Sequence, residues 1–166
     1  MIVAPNTSEV TIMNAETRVR DDLAELAASD RGRELLQLSL RGITRGERGV
    51  TAGCWTDHGI AGCLFQHAYW QGVEEGVFAD AGRPGDWVGS FVGSGDYGVV
   101  IRAIGSFDEL AKREYSERLP RRVLPDRRVV RQAEWRETVE RILVETLADA
   151  GDPSREPPTR EVIHSS

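Results

Sequence analysis

Both cysteines of the chain, Cys54 and Cys63, and two of its three histidines, His58 and His67, fall within Val50–Gln71, VTAGCWTDHGIAGCLFQHAYWQ. They form two Cys-x-x-x-His pairs, while His164 stands apart in a polar tail. Tetrahedral zinc takes thiolate and imidazole ligands, and two of each close a structural site. Cys54, His58, Cys63 and His67 supply that set. Residues four apart share one face of a helix, so each pair can act as half of a clamp. On one unbroken helix, at about 100° per residue, the second pair would point away from the first. A four-ligand site therefore requires the chain to reverse between His58 and Cys63. Gly59 and Gly62 stand where a bend is easiest. The spacing departs from the order of the familiar zinc fingers. The competing reading is structural: Cys63 packs as a small hydrophobe beside Leu64, and the histidines satisfy local polar groups.

The same residues allow nucleophilic chemistry. Cys63 is expected near the N-terminus of a helix, where unpaired N–H groups favour a thiolate. His67 or His58 would then be the base, with Asp57 orienting the histidine. A helix-borne cysteine followed by a β-hairpin resembles the papain-like cysteine peptidases, a resemblance of about a dozen residues. Those enzymes place the catalytic histidine on the sheet, where this chain has Asp96 and Tyr97 and no histidine. No catalytic role is carried over from them.

The elements that must position this cluster read as an α+β, predominantly helical fold: a helical hairpin and a central helix, one β-hairpin, and two C-terminal helices. Residues 1–13 are expected to be an arm, with Glu9–Met13 as a short strand. Residues 14–151 form a single globular domain, and residues 152–166 a flexible, proline-rich tail. Asn14 is a candidate N-cap for a helix carrying Val19, Leu23, Leu26 and Ala27. Ser29 and Asp30 cap a second helix bearing Leu35, Leu36, Leu38 and Leu40, with Gly42 at its stop. Ile60, Ala61, Leu64, Phe65, Ala68, Tyr69 and Val73 mark the central helix. Alternating apolar residues around Gly93–Asp96 predict a hairpin of Trp87–Val92 with Tyr97–Ile104. Ser106 and Glu109 match a capping box for a helix to about Glu117. Val130, Ala133, Val139, Ile142, Leu143, Thr146 and Leu147 trace the last helix, ending at Gly151.

The chain has 166 residues, a length suited to one domain with a real core, and a net charge of −6. That balance gives no general attraction to nucleic acid or anionic membrane. Without a basic leader or an apolar run of the roughly 18 residues a membrane span needs, a cytoplasmic protein is expected. Two cysteines there are thiols or ligands, not a disulfide. One segment runs against the acidic balance: LPRRVLPDRRVVR, between Leu119 and Arg131, follows Arg118 and is dense in arginine. It is read as a solvated connector whose arginines pair with nearby Glu residues, with phosphate, nucleic acid or an acidic partner as the alternative. The expected function is a small binding or regulatory protein for an unspecified protein partner or small ligand, organised by zinc. A cysteine-dependent hydrolase or transferase is the alternative. Self-pairing through Val139, Ile142, Leu143 and Thr146 would make a homodimer, though burial in the chain's own core is the more economical use of that stripe.

Overall fold

The computed structural model describes residues 7–51, 56–57, 61–80, 83–118, 128–130 and 132–151. The fold is α+β and predominantly helical. Its helices are α1 (Thr7–Ala27), α2 (Asp30–Thr44), α3 (Leu64–Glu74), α4 (Pro84–Val92), α5 (Ser94–Glu114) and α6 (Gln132–Ala150). Three strands of two residues each, β1 (Gly49–Val50), β2 (Thr56–Asp57) and β3 (Ala61–Gly62), lead into α3. A second pair, β4 (Ser116–Arg118) and β5 (Arg128–Val130), links α5 to α6.

The helical hairpin forms as its spacing predicts. Ala15, Val19, Leu23 and Leu26 of α1 recur every three or four residues and are buried. Ser29 caps α2 by accepting the Gly32 N–H at 3.0 Å, and its hydroxyl donates to Asp96 of α5 at 2.7 Å. One side chain thus starts α2 and ties it to the first turn of α5. The N-terminal expectation is corrected, because Glu9–Met13 lies inside α1 and Asn14 is an interior helical residue. Gly42 is likewise not a stop, since α2 continues to Thr44. A Cβ on Gly42 would stand 2.6 Å from the His67 carbonyl oxygen, so the missing side chain lets α2 and α3 approach closely here.

The predicted β-hairpin is also corrected. Trp87–Val92 belongs to α4 and Tyr97–Ile104 to α5. The buried residues of α5, Val99, Val100, Ala103, Phe107, Leu110 and Ala111, keep a helical period that the intervening glycines break into apparent alternation. Gly93, at φ 86° and ψ 164°, supplies the joint between the two helices in a conformation closed to most side chains. With no sheet there, the likeness to papain-like peptidases loses its second half. Ser106 opens no helix either. It lies within α5 and donates to Asp22 of α1 at 2.7 Å, while Arg102 donates to the same carboxylate at 2.7 Å. Asp22 is buried, so these two donors replace the water it gives up and hold α1 along α5.

Helix α6 closes the core. Trp135, Val139, Ile142 and Leu143 are all at most 1 % exposed, and Thr146 is also buried. The stripe considered for self-pairing is therefore taken up by the chain's own core, against α1 and α2. Among the described residues no helix is long and apolar enough to cross a membrane. The tail beyond Gly151 lies outside the described residues.

Candidate functional site

The first two turns of α3 are buried nearly all round: Leu64, Phe65, Gln66, His67, Ala68 and Tyr69. Cys63 is its N-cap residue, 2 % exposed, and its side chain makes no capping hydrogen bond. The expected placement of Cys63 at a helix N-terminus thus holds. His67 follows one turn later on the same face.

The strands before α3 form a sheet in the order β1-β3-β2. β1 runs parallel to β3, pairing Gly49 with Ala61 and Val50 with Gly62. β2 runs antiparallel to β3, pairing Thr56 with Gly62 and Asp57 with Ala61. The chain thus turns back on itself between Asp57 and Ala61. Asp57 occupies a strand position opposite Ala61, whereas Cys54 and His58 lie outside the described residues. Among the described residues, no group of three His, Cys, Asp or Glu side chains is placed to hold a metal ion.

His67 is 2 % exposed, and its Nε2 lies 2.9 Å from the Gly49 carbonyl oxygen. A carbonyl only accepts, so Nε2 carries the proton that is donated to Gly49. Burial pushes the ring below its ordinary value of 6.5. Backbone hydrogen bonds to Gly49 and Gly42 oppose that shift, and the guanidinium groups of Arg136 and Arg48 reinforce it. The imidazole is therefore neutral at pH 7, the form a metal ligand or a general base needs.

Other residues complete the surroundings, and sequence reasoning had no signal for them. The edge of His67 meets Trp70 at 5.3 Å between ring centroids, and the Arg48 guanidinium lies over the Trp70 ring at 4.1 Å. Arg136 of α6 donates to the Ile43 carbonyl at 2.6 Å and to the Arg48 carbonyl. It thereby caps the end of α2 and holds the approach to β1. Gln66 was marked by nothing except its place in the first turn of α3; its Oε1 is buried and accepts no hydrogen bond from the described residues. An open depression between Arg45, Arg48, His67, Trp70 and Glu74 has about 20 Å³ of free volume. That holds about one water molecule, and Cys63 does not line it.

No family model matches the sequence, and no curated protein or solved structure is significantly similar to it. Any reading of function therefore rests on the geometry itself.

The state of His67 makes stability depend on pH. The folded ring has a pKa below 6.5, so the unfolded chain takes up the proton first. The contribution is complete above about pH 6.5 and is lost as pH falls toward the folded value. Urea titrations between pH 7.5 and 5.5 should show falling stability for the native chain. His67→Gln, whose amide can still donate to Gly49, should flatten the profile. An unchanged pH slope in that variant would assign the effect elsewhere.

Proposed function

We propose that the chain is a small binding or regulatory protein in which zinc, held by Cys54, His58, Cys63 and His67, fixes the approach to α3. The observation that carries this reading is the antiparallel pairing of β2 with β3. A four-ligand site needs a reversal between the two Cys-x-x-x-His pairs, and that pairing is such a reversal. Chain connectivity then limits the distances. Cys54 is two residues before Thr56, His58 is next to Asp57, and Cys63 is next to Gly62, with about 3.8 Å between consecutive Cα atoms.

Two features of α3 support the same reading. A ligating histidine commonly donates its second ring N–H to a carbonyl, as His67 does to Gly49 at 2.9 Å. The buried Oε1 of Gln66, which accepts no hydrogen bond from the described residues, is an acceptor of the kind that the outer N–H of a ligating histidine uses. The depth of Cys63, away from the one-water depression beside His67, favours a ligand over a nucleophile.

Protein purified without a histidine tag should contain one zinc per chain by elemental analysis. Chelation should lower its melting temperature while most of the helical circular dichroism survives, because the core of α1, α2, α5 and α6 does not depend on these ligands. Cys54→Ser and Cys63→Ser should each abolish the metal. Metal-free protein that is folded and indifferent to added zinc would overturn the reading. Rapid selective alkylation of Cys63 would instead favour a catalytic thiol.

A further inference from the structure

The open depression beside His67 is walled by the end of α2, the link to β1 and one face of α3, through Gly42, Arg45, Glu47, Arg48, Trp70 and Glu74. Most of the charges around it are already matched. Arg45 bonds Glu47 at 3.1 Å, Gln71 at 3.3 Å and Glu74. Arg41, one turn earlier on α2, holds Glu75 at 2.9 Å. Arg136 directs its donors to the carbonyls of Ile43 and Arg48.

The exposed side chain of Arg48 differs from these. Its guanidinium lies over the Trp70 ring at 4.1 Å, and it has no carboxylate or carbonyl partner among the described residues. The indole covers one face of the guanidinium, whereas the N–H groups of such a fork lie in its plane. A stacked arginine therefore keeps its hydrogen-bonding edge open. The Arg136 bond to the Arg48 carbonyl fixes the same residue at its backbone. Both ends of Arg48 are held before any ligand arrives, which lowers the ordering cost of binding.

We infer that Arg48, stacked on Trp70, binds a carboxylate at the mouth of this depression. A guanidinium and a carboxylate match in two parallel hydrogen bonds. The space sets how much of the ligand enters: about 20 Å³ takes one oxygen in the place of one water, with the rest of the molecule in solvent. Charge sets its valence. Arg45, Arg48 and Arg136 stand against Glu47 and Glu74, an excess of one positive charge that suits a single carboxylate and disfavours a phosphate dianion. The carboxylate belongs to a free organic acid or to an acidic side chain of a polypeptide. The contact uses neither cysteine, so it stands or falls apart from the zinc.

The test is a heteronuclear NMR titration of the full chain, following the Arg48 side-chain N–H and the Trp70 indole N–H, with acetate and with a capped tetraglutamate peptide. Both signals should shift saturably with at least one probe at carboxylate concentrations up to about 100 mM. A lower Kd per carboxylate for the peptide assigns the ligand to an acidic polypeptide, and an equal or higher one to a free acid. Arg48→Gln, read at Trp70, should weaken binding about fivefold, the upper range for one exposed ion pair, with the melting temperature unchanged. Arg48→Lys keeps the charge without the planar fork, so it should recover less than half of that loss. Arg18→Gln, at an exposed position of α1, should leave binding within about twofold of the native chain. The inference is overturned by the absence of a saturable shift with either probe, by full recovery in Arg48→Lys, by an equal loss in Arg18→Gln, or by tighter binding of inorganic phosphate than of acetate at equal ionic strength.

Discussion

Replacing Trp135 with alanine is expected to lower the unfolding free energy by about 4 kcal/mol, in the usual range for truncating a buried tryptophan. The indole is fully buried, with Phe107 edge-on at 5.9 Å and Tyr115 at 5.1 Å. Its N–H also satisfies the Thr51 carbonyl. Truncation leaves a cavity where α5, α6 and β1 meet and releases the end of β1. Trp135→Phe restores most of the volume without the hydrogen bond, so it should recover more than half of the loss. Urea unfolding of both variants measures this. A cost under about 1.5 kcal/mol for the alanine variant would mean that the site collapses around the gap.

Gly32→Ala comes second, at about 3 kcal/mol. A Cβ at Gly32 would overlap the Leu26 carbonyl oxygen and approach the Ser29 hydroxyl within 2.8 Å. Leu26 lies in the last turn of α1 and Ser29 in the link to α2, and the nearer obstruction is the Leu26 backbone, which cannot rotate aside. In an exposed helix interior alanine is favoured over glycine by about 1 kcal/mol, so a destabilising outcome identifies the close approach as its cause. The hydroxyl of Ser29 also bonds Asp96, so the first turn of α5 should lose hydrogen-exchange protection in the same variant. Stability equal to or above that of the native chain would remove the explanation.

The parts of the fold that were legible are those with strong local signals. Ser29 before a run of leucines marked α2, and the spacing of Val139, Ile142 and Leu143 marked α6. Cys63 and His67 were recognisable because residue type and spacing alone place them on one helical face. Helix α5 was misread because glycines at 95, 98 and 105 interrupt its apolar period. Tertiary burial of Val99, Val100 and Ala103 outweighs that weak local propensity. Strands of two residues, such as β1 to β3, are too short to show alternation. The surroundings of His67 were hidden for another reason. Gly49 is 18 residues away in sequence, Arg136 lies on the last helix, and long-range contacts of this kind leave no periodic trace.

Arg136 has a further consequence in the order of synthesis. Its side chain completes the end of α2 and fixes the backbone at Arg48, and the neighbouring Trp135 holds Thr51. Both residues lie on the last helix. A nascent chain can form the α1–α2 hairpin as soon as that hairpin leaves the ribosome. The segment carrying Cys63 and His67 gains these supports only when α6 has emerged. Until then Cys63, buried in the finished fold, lacks the cover that the completed core gives it, so its exposure to thiol chemistry is greatest during translation.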